Sequence, residues 1–372
     1  MRLRKLIPAS VLLWLIVATP VNAPTPSSEK IIVLAVELSD APHIREPSDL
    51  QSLFSMVRSY YLEASYDTRA FEFTIYGWFK LDRITASYGR DSSLSIDDPD
   101  VNGSPDTYRL IQDAINLADS TVDFSPYNYL IVVHSGSGQE CTGNPNDIWS
   151  VAYLFGIWFK TKEKSFDKAA IVPETQVRGG NPIGVIVHEF GHLLGLPDLY
   201  STSEQVGVWD VMGRGTWQGY PAGAIPSLFC AWSRMKLGWL TGNSIHTYAG
   251  GFDIVELTPL ATKGSGVKVV KIPLKNGEAS YLIEYRIKTG FDSALPQSGA
   301  LITRVRETEP HVTVIRYLDQ SLDEALWPSG SIFVDSAERL FIGIFLLPGG
   351  KIEVLVSDSV KPPLLSAPIP CF

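Results

Sequence analysis

Two histidines four residues apart, His188 and His192, enclose Glu189 in the run HEFGH. Residues at that spacing share one helical face, so both imidazoles can reach a single cation. Glu189 then points to the same region, where a carboxylate can take a proton from an ion-activated water. The chain has only 6 histidines in 372 residues, which makes this spacing around a placed glutamate a poor candidate for coincidence. Two imidazoles leave a catalytic zinc one protein ligand short. Asp198 follows ten residues after His188, beyond Gly195-Leu196-Pro197. Glycine lets the chain turn sharply off a helix, and a carboxylate oxygen is an accepted zinc donor. The competing role for Asp198 is to orient a histidine without touching the ion. Hydrolysis also needs a donor to the developing oxyanion, for which Tyr200 and His134 are candidates.

The elements that must position these groups are partly legible. Asn181 to Leu194 reads as a helix, with Asn181 as the N-cap, Pro182 at the first position and Gly195 at the C-terminal cap. Ser48 to Ala64 reads as a second helix, with Ser48 as its N-cap, and Pro105 to Asp119 as a third. Ile31 to Leu38 and Tyr129 to Val133 are apolar runs typical of buried strands, and Ala70 to Leu81 alternates at period two. The texture changes after Trp239. Seven short β-rich runs follow between 250 and 360 (FDIVEL, VKVVKI, ASYLIEY, GALITRV, GSIFVD, RLFIGIFLL and KIEVLV), which predicts a sandwich or barrel. Their separate pattern predicts a unit that folds by itself, with a boundary at 245.

Composition removes several function classes. Hydrophobic residues make up 45% and charged residues 19%, so a sizeable core is expected rather than long disorder. The net charge of −9 and the lack of a Lys/Arg run argue against nucleic-acid binding. Cys141, Cys230 and Cys371 are too few for a disulfide scaffold, and Cys141–Cys230 is the first pair to test. Arg2, Arg4 and Lys5 precede an apolar stretch from Leu6 to Val17, then small residues to Ala23, the pattern of a secretory signal. The protein is expected to be secreted, with membrane association only if that segment stays uncleaved as an N-terminal anchor. The expected organisation is a signal at 1–23, a tether at 24–30, a catalytic domain at 31–245, a β-sandwich-like domain at 246–360 and a tail at 361–372.

The whole motif, H-E-x-x-H-x-x-G-x-x-D, resembles the metzincin zinc signature with Asp in place of the usual third His. Trp209-Asp210-Val211-Met212-Gly213 resembles the Met-turn beneath a metzincin zinc, although core packing is the ordinary role of a methionine. HEFGHLLGLPDLY followed by VGVWDVMGRGTW resembles the immune inhibitor A family of secreted metallopeptidases, as do YYLEASYDTRAFEFTIYGWFKL, VDFSPYNYLIVVHSGSGQE, DIWS and YLIEYRIKTGFDSALPQSGALITRV. The resemblance covers nearly all of 31–305. It implies an α+β zincin, a mixed twisted sheet with an active-site helix, followed by β-structure. It also implies one catalytic zinc on His188, His192 and Asp198, Glu189 as general base and acid, Met212 in support, and protein or peptide substrates. His134 and Glu140 match a recurring family segment and are expected to line the cleft.

Three features depart from the family. Ser201 stands where an acidic residue is common, and only seven residues separate Ala23 from the first strand, so a long propeptide is not expected. The loop from Asp97 to Asp106 has carboxylates spaced like a Ca2+ site, which competes with a solvated acidic turn. The rival to an endopeptidase is a non-catalytic secreted or surface binding protein on the same fold, and the intact Glu189 argues against it. A thermolysin-like site with a later Glu ligand is disfavoured because Glu204 lies too close.

Overall fold

Strand β1 (Ser27–Glu37) explains why its sequence is an unbroken apolar run. It pairs in parallel with β2 (Arg69–Lys80) on one side and β3 (Tyr129–Ser137) on the other, so it sits inside a sheet. Ile31, Val33 and Ala35 face one hydrophobic cluster, while Ile32, Leu34 and Val36 face another. A strand covered on both faces has no polar side to alternate with. The computed structural model describes residues 27–91, 106–176, 180–200, 206–275, 277–306 and 311–358. The expected signal, the acidic loop before Asp106, Ser201 and the tail from 361 lie outside these residues, and no helix among them is long and apolar enough to cross a membrane.

The five-stranded sheet runs β2-β1-β3-β5-β4, with β4 (Val151–Lys160) antiparallel to β5 (Ser165–Thr175) at one edge. Helices α1 (Pro47–Ala64) and α3 (Ile183–Leu193) share the first cluster, and α2 (Asp106–Ala118) packs on the second. Strands β4 and β5 are not among the predicted elements, and Ser27–Lys30, expected in the tether, pair with Arg69–Glu72 of β2 and open β1. Helix α1 starts one residue earlier than Ser48 suggests. Glu46 is its N-cap, in a reciprocal box with Asp49, and Pro47 takes the first position.

All seven predicted β-runs after 250 form strands. Together with β6 (Ile245–Thr247) and β11 (His311–Val314), and with β12 (Ser331–Asp335), β13 (Leu340–Leu347) and β14 (Lys351–Ser357) among the seven, they build two further sheets, β11-β10-β9-β8-β6 and β12-β13-β14-β7. Among them β7 is Phe252–Leu257, β8 Val269–Pro273, β9 Ala279–Arg286 and β10 Gly299–Arg306. The two sheets close over one cluster containing Leu257, Ile272, Ile283, Ile302, Ile342 and Val354. The opposite face of β9 and β10 is not solvated. Leu282, Leu301 and Val305 belong to the same cluster as Tyr61, Phe190 and Met212. Residues on both sides of 245 therefore share one core, which departs from the expectation of a self-contained C-terminal unit. Cys141 and Cys230 are not joined to each other among the described residues, so the pair chosen from sequence is not bridged.

Candidate active site

Helix α3 is buried along almost its whole length, which requires the rest of the chain to satisfy its ends. At the N-terminus the structure differs from the sequence expectation. Pro182 is the N-cap and makes no side-chain bond, and Asn181 Oδ1 finds no partner among the described residues. The cap is supplied by the tertiary fold instead, with Gly184 N–H donating to Gly223 O at 3.0 Å. The C-terminus ends as the sequence suggests. Gly195, at φ +99°, donates to His192 O, and Leu196 N–H reaches back to Gly191 O. This Schellman closure turns the chain back beneath the helix end and delivers Asp198 to the histidines.

Three ligand atoms converge there. His188 Nε2 and His192 Nε2 are 3.2 Å apart, and Asp198 Oδ1 lies 3.1 and 3.3 Å from them respectively. His188 Nδ1 is 2.9 Å from Val211 O, and His192 Nδ1 is 2.8 Å from Leu196 O. A carbonyl only accepts, so each Nδ1 carries the proton and each neutral ring turns a lone pair toward the other. Two lone pairs at that distance repel unless a cation lies between them. Zinc–nitrogen bonds of roughly 2.0–2.1 Å place tetrahedral ligands about 3.3 Å from one another, so the triangle fits the ion. Without one, a proton takes over part of the task. Burial disfavours the His192 imidazolium, but its hydrogen bond to Asp198 and the Glu189 and Asp198 charges outweigh this and lift its pKa to about 9. Burial opposes ionisation of Asp198 too, yet the two imidazoles hold its carboxyl well below the usual range.

Glu189 is 7% exposed, and burial raises its pKa against the opposing pull of His188 and His192. Met212 is wholly buried directly under the helix. A Cβ on Gly191 would stand 2.7 Å from its sulfur, so the helix and this turn approach as closely as a glycine allows. Leu199 N–H donates to Met212 O at 2.8 Å, which ties the Asp198 segment to the same turn.

The cleft in front of these groups has a volume of about 420 Å³. Tyr200 and Glu140 line it, as do Trp149, Thr216 and Trp217, which the sequence reading did not single out as site residues. The Tyr200 ring stacks near His188, with centroids 6.1 Å apart, and its phenol pKa is raised by burial and by the Asp198 and Glu189 charges. Ser150 holds the Glu140 carboxylate through its hydroxyl at 2.8 Å and its N–H at 3.3 Å. His134 is elsewhere. It lies wholly buried in β3, with its Nδ1 bonded to Ser135 O, its Nε2 without a partner among the described residues, and its pKa pushed down by burial to about 4. Thr216 is the most informative of the missed residues. Its hydroxyl donates to Val211 O and lies 3.2 Å from His188 Nδ1, fixing the carbonyl that orients His188.

Residues 124–243, which contain this whole constellation apart from β1 and β2, match the model of the immune inhibitor A peptidase M6 catalytic domain. The resemblance is to the immune inhibitor A peptidases. Immune inhibitor A of Bacillus thuringiensis subsp. alesti is 29% identical over 229 residues, covering 50% of this chain and 32% of that protein. Pre-pro-metalloprotease PrtV of Vibrio cholerae is 27% identical over 228 residues, covering 50% of this chain and 24% of that protein. The chain thus spans a third or less of the length of these relatives. Among solved structures, metalloproteinase-II of Bacteroides fragilis aligns at 15% identity and a TM-score of 0.32, over 59% of this chain and 54% of that one. OgpA of Akkermansia muciniphila aligns at 14% identity and a TM-score of 0.39, over 91% of this chain and 96% of that one.

Proposed function

We propose that the protein is a secreted zinc endopeptidase, with His188, His192 and Asp198 holding one ion and Glu189 acting as general base and then general acid. The observation that carries this reading is the facing pair of Nε2 lone pairs, each fixed by a backbone carbonyl on its own Nδ1. Only a bound cation makes that arrangement favourable while both rings are neutral. The bound ion would supply Lewis acidity, lowering the pKa of water to about 7 and polarising the scissile carbonyl.

The remaining work falls to this chain's own groups. Glu189 sits beside the ligand helix face, and its raised pKa suits a carboxylate that must accept a proton and give it back to the leaving amine. Such transfer contributes roughly 10²–10⁴-fold in rate. Tyr200 keeps its proton at neutral pH and faces the cleft beside His188, so its phenol is the candidate donor to the oxyanion. His134, enclosed in the sheet, drops out of that role in favour of Tyr200. Trp149, Trp217 and Tyr200 give the cleft an aromatic lining suited to an extended peptide. The two C-terminal sheets act as a β-sandwich-like support, and the basic and apolar N-terminal segment supports export.

The test joins metal content to cleavage. Purified protein should carry one zinc and degrade an unfolded substrate such as casein. Glu189→Ala should keep the zinc and lose nearly all hydrolysis, because it removes the base and no ligand. Turnover above a few per cent of wild type in that variant would remove Glu189 from the mechanism.

A further inference from the structure

A wholly buried charge cluster lies outside the catalytic group, at the end of β9. Arg286, the last residue of β9, is completely buried, and so are Glu284 and Asp292. Its guanidinium donates to Asp292 through Nε at 3.0 Å and Nη2 at 2.7 Å, and to Glu284 through Nη1 at 3.1 Å. The same fork also donates to the backbone carbonyls of Trp209 and Leu228. Both carboxylates then grip the chain opposite: Asp292 accepts Leu228 N–H at 2.9 Å, and Glu284 accepts Ala231 N–H at 2.6 Å. Replacing such a buried cluster with apolar side chains is often neutral or stabilising, so stability alone is a weak reason to keep one. What this cluster provides is a fixed place for the turn at 209–213.

That turn is where the metal group is oriented. Trp209 O accepts from Arg286, and two residues later Val211 O accepts from His188 Nδ1. Asp210 between them is wholly buried and accepts Met212 N–H, Cys230 N–H and the Ser233 hydroxyl. A shift of the Trp209 carbonyl would therefore be passed on to the carbonyl that sets the tautomer and angle of a ligand. We infer that Arg286 is a positioning residue for the metal centre, acting from the C-terminal sheet through Trp209 and Val211. A lysine cannot substitute, because one ammonium cannot span two carboxylates and two carbonyls in a planar fork. The inference rests on the metal-centre reading above.

Metal-free protein titrated with zinc against a chromophoric chelator, alongside melting curves, tests it. Arg286→Lys should weaken zinc binding roughly 10–100-fold, the range for groups that orient a ligand. Asp292→Asn, which sets an N–H against the Arg286 or Leu228 donors, should weaken it several-fold. Lys268→Met is the control for general destabilisation. Lys268 is a buried cation just before β8 of that sheet, bonded to Pro259 O and Thr262 and not to the turn. It should leave zinc affinity within about twofold of wild type even if melting falls as far. Wild-type affinity in folded Arg286→Lys, or an equal loss in Lys268→Met, overturns the positioning role. If Arg286→Lys does not fold, Asp292→Asn decides: a loss supports the role and unchanged affinity overturns it. A wild-type protein that binds no zinc would overturn the metal-centre reading itself, whereas tight wild-type binding with unaffected variants overturns only this inference.

Discussion

Zinc affinity should depend steeply on pH, by an amount the site geometry sets. In the ion-free protein His192 holds a proton with a pKa of about 9, because Asp198 accepts from it on one side and Leu196 O on the other. Zinc needs the neutral ring, so binding expels that proton. Below the pKa each pH unit then costs a factor of ten, about 1.4 kcal/mol. Apparent affinity should rise about 100-fold between pH 6 and pH 8, where an unperturbed histidine, with a pKa near 6.5, would level off at about pH 7. Stability of the ion-free protein should move in the opposite direction. The folded pKa of His192 lies above the unfolded value of 6.5, so its contribution is complete below that value and lost as pH rises through about 9. With the side chain only 13% exposed, the contribution is on the order of 3 kcal/mol. Asp198, held below its ordinary value of 3.8, stabilises above that pH and is lost on acidification. Chelator competition at several pH values, paired with thermal scans with and without zinc, checks both. A zinc affinity that plateaus near pH 7, or an ion-free melting temperature that rises from pH 7 to pH 9, would refute the reasoning.

Three further outcomes follow from the same geometry. Asp198→Ala should lose zinc and activity together, because it leaves two imidazoles alone; full zinc occupancy after dialysis against a weak chelator would make Asp198 an orienting group instead. Met212→Leu should cost about 1.5 kcal/mol or less and preserve cleavage, since the swap nearly conserves volume beneath Gly191; an inactive but folded variant would point to a direct role for the sulfur. A chain ending at 245 should be insoluble or lack a cooperative melting transition, because it strips Leu282, Leu301 and Val305 from the core and leaves Trp209 O and Leu228 N–H without their partners. A sharp transition in that fragment would show the C-terminal sheets to be dispensable.

What was legible in the sequence was local. The HEFGH helix, its glycine stop and the buried run of β1 each depend on neighbours within a turn or a strand, so spacing and residue type reveal them. Seven β-runs were visible because Gly, Pro, Asn and Asp punctuate them. The start of α3 is not legible in the sequence because Gly184 N–H is capped by Gly223 O, distant in the chain and next to it only in space. His134 looked like a cleft residue because it precedes a glycine-bearing loop, yet its position in β3 encloses it.

The core shared across 245 is not legible in the sequence for a physical reason that β9 shows most clearly. Along ASYLIEYR, Tyr281, Ile283 and Tyr285 form an apolar face, while Ser280, Glu284 and Arg286 make the other face read as solvated. All eight residues are buried. The polar-looking face is the one that meets the half of the molecule carrying His188 and His192, with Leu282 in its core and the Glu284–Arg286 pair against the Trp209 turn. Period-two alternation tells which residues share a face, not what covers that face. Charges satisfied by backbone groups 58 and 77 positions away carry the same sequence signature as charges satisfied by water. A strand that looks like part of an independent unit can therefore be the surface that holds the turn beside His188, and the buried arginine is what joins the two.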